Sequence, residues 1–329
     1  MTDFDRTQRH AGLGTFYDPN FNMLYGDLVG SLAEAPQFIC SPRGQKIKEA
    51  LAVTIVLEDP RARVLNIKAR DAQYGFGVGE FLWYLTGKYD LETLLYYNKR
   101  AGQFSDDGKT VNSAYGWRMF KDAYCVREPW DPNFRMDQWT ACKQTLISDP
   151  DSRRAIVIIN QPGDQIRAVQ VGTKDVPCTL SLQFFIRDGY LDLHVHMRSN
   201  DAVWGLTYDL FSFTLFQELM MLELRETYPD LQLGAYYHTA GSMHIYERHF
   251  QMAEEVATEY LSPEFRPAAP MEPLVLAEMG RLVEYEEALR TRRVAPNGSS
   301  QFSGGVRWLA EQLEAHRRKR DAERSQQVR

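Results

Sequence analysis

Long apolar runs are missing from this 329-residue chain. No stretch approaches ~18 consecutive apolar residues, so a membrane-spanning helix is excluded. The opening Met-Thr-Asp-Phe-Asp-Arg has neither a basic start nor an apolar core, so no signal peptide is expected. Cysteine is scarce: Cys40, Cys125, Cys142 and Cys178 are scattered, with no C-x-x-C pair. That spacing argues against a disulfide framework and a zinc site, and it fits a reducing cytoplasm with no metal cofactor. Positive charge is not in excess either. The net charge of −6 gives no global attraction to nucleic acid, and none is expected as a partner. Lysine is outnumbered by arginine, 10 to 28. A GC-rich genome accounts for this ratio; Arg as an anion-binding fork is a local alternative that needs motifs. What is present is globular, with 44% hydrophobic, 25% charged and 12% aromatic residues. The length suits one large domain or two ordinary ones.

Pattern places the elements. A short helix is expected over Leu24–Glu34, a turn at Ser41-Pro42-Arg43-Gly44 and a strand over Ala50–Leu57. Val78–Leu85 reads as a buried helix, residues 102–118 as a polar loop, and Asp137–Ser148 as an amphipathic helix. Arg154–Ile159 is a run that is fully apolar after its first residue. Leu180–Arg187 and Leu191–Met197 alternate around Asp188-Gly189, a hairpin signal. Leu210–Thr227 reads as a core helix, Leu231–Tyr237 as a strand and His244–Tyr260 as a helix. Beyond residue 261 comes a proline-marked irregular stretch. A linker over Ala295–Gly305 follows, then a charged helix over 306–329 whose Arg317–Arg320 run reads as a solvated end.

Cys178 follows Pro177 at a strand edge. Alone it is a core residue; a nucleophilic cysteine needs a nearby cation. Two charged clusters flank it, Asp151-Ser152-Arg153-Arg154 and Arg198-Ser199-Asn200-Asp201. Either alone reads as strand-end ion pairing, whereas several together suit an anionic ligand.

These segments occur in an order that resembles the thymidylate synthase superfamily. The set is Asp149-Pro-Asp-Ser-Arg-Arg154, Pro177-Cys178, Arg198-Ser-x-Asp201, Gly205-Leu206 and His244-Ile-Tyr246. Upstream, Glu80-Phe-Leu-Trp-Tyr-Leu-Thr-Gly87, Ala114-Tyr115-Gly116 and, more loosely, Arg43-Gly44 extend the match over roughly residues 40–260. The resemblance implies an α/β (α+β) fold, with a large mixed sheet flanked by helices, and a sheet-to-sheet homodimer. It implies that Cys178 adds to C6 of a pyrimidine nucleotide, with 5,10-methylenetetrahydrofolate as co-substrate. Arg43, Arg198 and Ser199 would hold the phosphate, joined by Arg153 and Arg154 from the partner subunit. His244 and Tyr246 would bind the sugar, and Asn200 would lie among the substrate-binding residues. Glu80 and Tyr115 would organise water and protons. Asp201, Trp204 and Gly205 would face the folate. The aromatic residues Trp83, Tyr84, Tyr96 and Tyr97 read as core instead.

Departures from the family pattern bear on the substrate. Where thymidylate synthases carry the Asn that reads uracil, this chain has Asp209. Alone, Asp209 caps the helix expected from Leu210. Within the family frame, a carboxyl can accept from the cytosine 4-amino group and, when protonated, donate to N3. A carboxylate against uracil O4 leaves two acceptors facing, at a cost of ~1–3 kcal/mol. Thr179 and Asn200 replace the family's His and Cys. The charged C-terminal segment stands where the family has an apolar closing tail, which suits capture of water by the exocyclic methylene on C5. The expectation is therefore a cytidylate 5-hydroxymethylase, a one-carbon transferase acting on CMP or dCMP. The Arg-rich composition leans it toward CMP and nucleoside-antibiotic biosynthesis; a dUMP-methylating enzyme and a non-catalytic nucleotide binder are the alternatives. Residues 1–270 would form the catalytic domain and 271–329 a C-terminal extension.

Overall fold

The computed structural model describes residues 14–121, 135–293 and 297–327. Cys125, the N-terminal hexapeptide and the start of the expected linker at Ala295 lie outside them. In chain order the strands are β1 (Thr15–Asp18), β2 (Phe38–Cys40), β3 (Ile47–Leu57), β4 (Ile156–Ile158), β5 (Thr179–Arg187), β6 (Tyr190–Met197), β7 (Asn200–Asp201) and β8 (Gln232–Tyr246). The longer helices are α1 (Phe21–Glu34), α2 (Tyr74–Leu85), α3 (Leu91–Tyr97), α4 (Tyr115–Phe120), α5 (Gln138–Ser148), α6 (Pro162–Gln170), α7 (Gly205–Leu224), α8 (Phe250–Tyr260), α9 (Met279–Arg290) and α10 (Gly304–Gln327).

The chain divides into two compact units. The first holds the residues up to Ala72, Cys178–Gln217 and Asp230–Pro270; the second holds Gln73–Pro177, Glu218–Pro229 and the residues from Met271 onward.

The first unit is a mixed sheet in which β8 is the central strand. It runs antiparallel to β3, from Ile47↔Tyr246 to Leu57↔Tyr236, and parallel to β6, from Tyr190↔Gln232 to Met197↔Ala240. β5 closes onto β6 through the expected hairpin, with Asp188 and Gly189 at φ 50° and 81°, the positive pair that a type I′ turn requires. β1 and β2 pair with β3, and β7 pairs with the far end of β8. α1 starts where the Asn20 side chain accepts from the Asn22 amide, and it buries Phe21, Leu24, Tyr25, Leu28 and Leu32. The helix expected over His244–Tyr260 opens as strand for its first three residues. His244, Ile245 and Tyr246 continue the β8 ladder, because β3 and β7 supply their hydrogen-bond partners, and α8 begins only at Phe250. Local periodicity carries no information on partners so distant in sequence.

In the second unit, α4 begins inside the stretch read as loop and runs two residues past it, and α9 lies inside the stretch read as irregular. The C-terminal helix is also more than a charged appendage. Val306, Leu309, Ala310 and Leu313 of α10 are buried, and Trp308 meets Tyr74 of α2 edge to face at 5.3 Å. Its basic run is exposed at Arg318 and Lys319, as expected of a solvated end, but it also makes contacts. Arg320 lies over the Tyr96 ring at 4.4 Å, and Arg318 pairs with Glu314 at 3.4 Å. Trp83, Tyr84 and Tyr97 are buried, as expected of core aromatics.

Candidate active site

Strand ends gather most of the singled-out residues within the first unit. Cys178 immediately precedes β5, and its carbonyl accepts from the Arg198 amide at 2.8 Å, just past the end of β6. The backbone ladder therefore fixes the spacing of the two residues. The residue as a whole is half-buried. Burial pushes the thiol above its ordinary range and the charge of Asp209 adds to this. The Arg198 and Arg43 charges and a hydrogen bond from Ser199 pull the other way. The expectation that flanking cations favour the thiolate is thus only half met, because desolvation outweighs them. Arg43 itself is exposed, in a short turn over Pro42–Gly44, at φ 52°.

β7 then crosses beside β8, pairing Asn200 with Met243 and Asp201 with His244. Asp201 Oδ1 accepts from the amides of Val203 and Trp204, at 2.9 and 3.3 Å, and so turns the chain into α7. One turn into α7, Asp209 faces back. Its Oδ2 accepts from Asn200 Nδ2 at 2.7 Å. Removal from water pushes the Asp209 carboxyl up to about 7, with the Asp201 charge adding and the Asn200 donor opposing. Gly205 leaves this pair its room. A Cβ there would lie 3.1 Å from Asn200 Nδ2 and 3.3 Å from Asp209 Oδ2. The simple helix-cap reading of Asp209 fails, since α7 already starts at Gly205.

On β8, His244 is buried and Tyr246 half-buried, with their rings edge to face at 5.0 Å. Burial lowers the His244 pKa, against the raising influence of Asp201. Trp204 is half-exposed, and its indole Nε1 donates to His249 Nε2 at 2.7 Å. Arg70 lies 5.6 Å from the Trp204 ring and 5.3 Å from the Tyr208 ring. His249 and Arg70 escaped the sequence reading. His249 is only three positions beyond Tyr246, a spacing that could have drawn attention to it. Arg70 reaches Trp204 only through the fold. Thr179 donates to Met197 Sδ and is buried.

The remaining candidates belong to the second unit. Glu80 is half-buried on α2, one turn before Tyr84 and so on the same helix face. Tyr115 opens α4 and stacks on Tyr84 at 5.2 Å with 11° between the rings. Gly116 permits this approach, since a Cβ there would come within 1.9 Å of the Tyr84 carbonyl oxygen. Arg153 and Arg154 are exposed just before β4. Among the described residues no group of His, Cys, Asp or Glu side chains is arranged to hold a metal ion, and no helix is long and apolar enough to cross a membrane.

Comparison with known proteins agrees with this architecture. A deoxyuridylate hydroxymethyltransferase of Bacillus phage SP01 is 36% identical over 234 residues, which is 70% of this chain and 58% of that protein. A deoxycytidylate 5-hydroxymethyltransferase of Enterobacteria phage T4 is 31% identical over 147 residues, 44% of this chain and 55% of that protein. The matched stretch thus spans little more than half the length of either relative. Among solved structures, thermostable thymidylate synthase A from Bacillus subtilis superposes with a TM-score of 0.61 at 19% identity, covering 78% of this chain and 90% of that one, a likeness of fold. The thymidylate synthase family pattern matches residues 57–272, well over half of the sequence. On that match the chain belongs to the thymidylate synthase family.

Proposed function

We propose that the chain is a folate-dependent pyrimidine-nucleotide 5-hydroxymethylase acting on cytidylate. The observation that carries this reading is Asp209, a carboxyl held by Asn200 at 2.7 Å and pushed up to about 7, in electrostatic reach of the Cys178 thiol. A carboxyl that is half protonated near neutrality can donate to cytosine N3 while accepting from the 4-amino group. The names of the phage relatives support hydroxymethylation over methylation. They also support a deoxynucleotide, so dCMP is the first substrate to test and CMP stands beside it.

In this reading Cys178 loses its proton and its sulfur bonds to C6, leaving C5 electron-rich. Arg43, Arg198 and Ser199 hold the phosphate, and His244 and Tyr246 the sugar. The C5 proton is lost, water adds to the new exocyclic carbon and becomes its hydroxyl, Glu80 and Tyr115 would organise this water and the protons, and Cys178 is released when the C6–S bond breaks. Methylenetetrahydrofolate, when bound, supplies the one-carbon unit. The half-exposed Trp204 indole, fixed by His249, fits a flat aromatic ring system, with Asp201 and Gly205 beside it. The enzyme would be a homodimer, with the exposed Arg153 and Arg154 serving the partner's phosphate site. Mixing a Cys178→Ser chain with an Arg154→Ala chain would then restore activity that neither has alone.

A second reading, uridylate, is favoured by the name of the Bacillus phage SP01 relative. The test is incubation of 5-tritiated dCMP, CMP and dUMP with methylenetetrahydrofolate, recording tritium release and product mass. Release from cytidylate with a hydroxymethyl mass gain is expected. Release from dUMP alone would remove the cytosine assignment, and a methyl mass gain would remove the hydration step.

A further inference from the structure

Asn200 and Asp209 come from different elements, the two-residue β7 and the second turn of α7, and meet in one hydrogen bond from Nδ2 to Oδ2 at 2.7 Å. Gly205 keeps a side chain away from that bond. Asn200 is 3% exposed, and its own Oδ1 is buried with no hydrogen-bond partner among the described residues. A neutral carboxyl alone is ambiguous. Either oxygen can carry the proton, so it can offer donor and acceptor in either order, and both a cytosine edge and a uracil edge find a match. A fixed donor on one oxygen removes the ambiguity. The oxygen that accepts from an amide stays the carbonyl, and the proton is left to the other.

We infer that Asn200 is a specificity-determining positioning residue: its amide holds the Asp209 proton on Oδ1 and fixes the order in which donor and acceptor meet the pyrimidine edge. This rests on the reading of Asp209 as the base-recognition residue. With the order fixed, one base meets two complementary partners, and the other meets donor against donor and acceptor against acceptor. The unpartnered Asn200 Oδ1 tips the choice. It is a buried acceptor that the 4-amino group of cytosine can satisfy and the 4-carbonyl of uracil cannot.

The experiment is equilibrium binding of dCMP and dUMP to the full chain by titration calorimetry, over a pH series from about 5.5 to 8.5. The variants are Asn200→Ala and Gly205→Ala, the second crowding the same hydrogen bond with Asn200 intact. Wild type should prefer dCMP. Each variant should move the ratio of the two dissociation constants at least about fivefold toward parity. The midpoint of the pH dependence should rise in Asn200→Ala, because the carboxylate has lost a donor. Equal weakening of both nucleotides with an unmoved midpoint would reduce Asn200 to a structural role and overturn the inference, as would a wild type without preference. The readout is binding, so a chain that discriminates the bases yet transfers no one-carbon unit would refute the proposed activity and leave this inference standing.

Discussion

The Arg198 amide donates to the Cys178 carbonyl at 2.8 Å, so the proposed nucleophile and the proposed phosphate-binding cation are fixed to one another by backbone. The charge of Arg198 pulls the thiol down, while burial and Asp209 push it up. Alkylation by iodoacetamide reads the thiolate fraction. At pH ~7, Cys178 should react slowly, faster in Asp209→Asn and more slowly in Arg198→Ala. Peptide mass spectrometry separates it from Cys40 and from the buried Cys142, whose thiol burial pushes up to about 12. Identical rates in all three proteins would show that these charges do not govern Cys178.

If Asp209 reads the base as proposed, Asp209→Asn changes the edge it offers to a fixed amide, which donates to O4 and accepts from N3–H of uracil. The kcat/KM ratio of dCMP to dUMP should fall by about five- to 150-fold, the worth of ~1–3 kcal/mol in mismatched polar contacts. An unchanged ratio would take Asp209 out of base recognition.

The same carboxyl makes stability depend on pH. Folded, it titrates at about 7; unfolded, at about 3.9. Between those values the folded state keeps a proton that the unfolded state has released. Its stabilising contribution is therefore complete below pH ~4 and is lost as pH rises toward 7, by at most about 1.4 kcal/mol per pH unit. Urea unfolding at several pH values should show wild type losing stability through this window more steeply than Asp209→Asn. Parallel curves would contradict the raised pKa.

Legibility followed the range of the interactions. The β5–β6 hairpin was readable because Asp188-Gly189 encodes its own turn. Cys178, Arg198, Asp201 and Asp209 could be singled out by their spacing along the sequence, and the fold sets Cys178 beside Arg198 through a backbone hydrogen bond. The end of β8 was not readable, since His244–Tyr246 are a strand only by virtue of β3 and β7. The Asn200–Asp209 bond was hidden for a similar reason: its geometry depends on Gly205 and on how α7 leaves β7. Likewise α10 read as a charged tail until its sparse apolar positions, Val306, Leu309 and Leu313, were seen buried together.

Within the second unit, Arg118 forks onto Asp164, with Nη1 and Nη2 at 2.6 and 2.8 Å from the two carboxylate oxygens. Both residues are buried, and Asp164 also accepts from the Gln161 amide that opens α6. Burial opposes the charge on Asp164, but Arg118 prevails and lowers its pKa. Asp164→Ala leaves a buried guanidinium without its carboxylate and should destabilise the protein by about 3–5 kcal/mol. A loss under ~1 kcal/mol in urea unfolding would mean the pair is solvated rather than buried.

Trp204 offers a test of the folate side that does not need turnover. Its indole N–H is held by His249 Nε2 at 2.7 Å, and Arg70 sits 5.6 Å from its ring. His249→Ala removes the acceptor and frees the indole to rotate, while the residues proposed to hold the nucleotide are untouched. Binding of a folate analogue to the nucleotide complex should weaken about five- to tenfold, the worth of ~1 kcal/mol, with dCMP affinity unchanged. Trp204 emission, isolated by a Trp204→Phe control, should shift red as the freed indole meets water. If folate affinity stays the same while the emission shifts, Trp204 moves without consequence and does not form the folate wall.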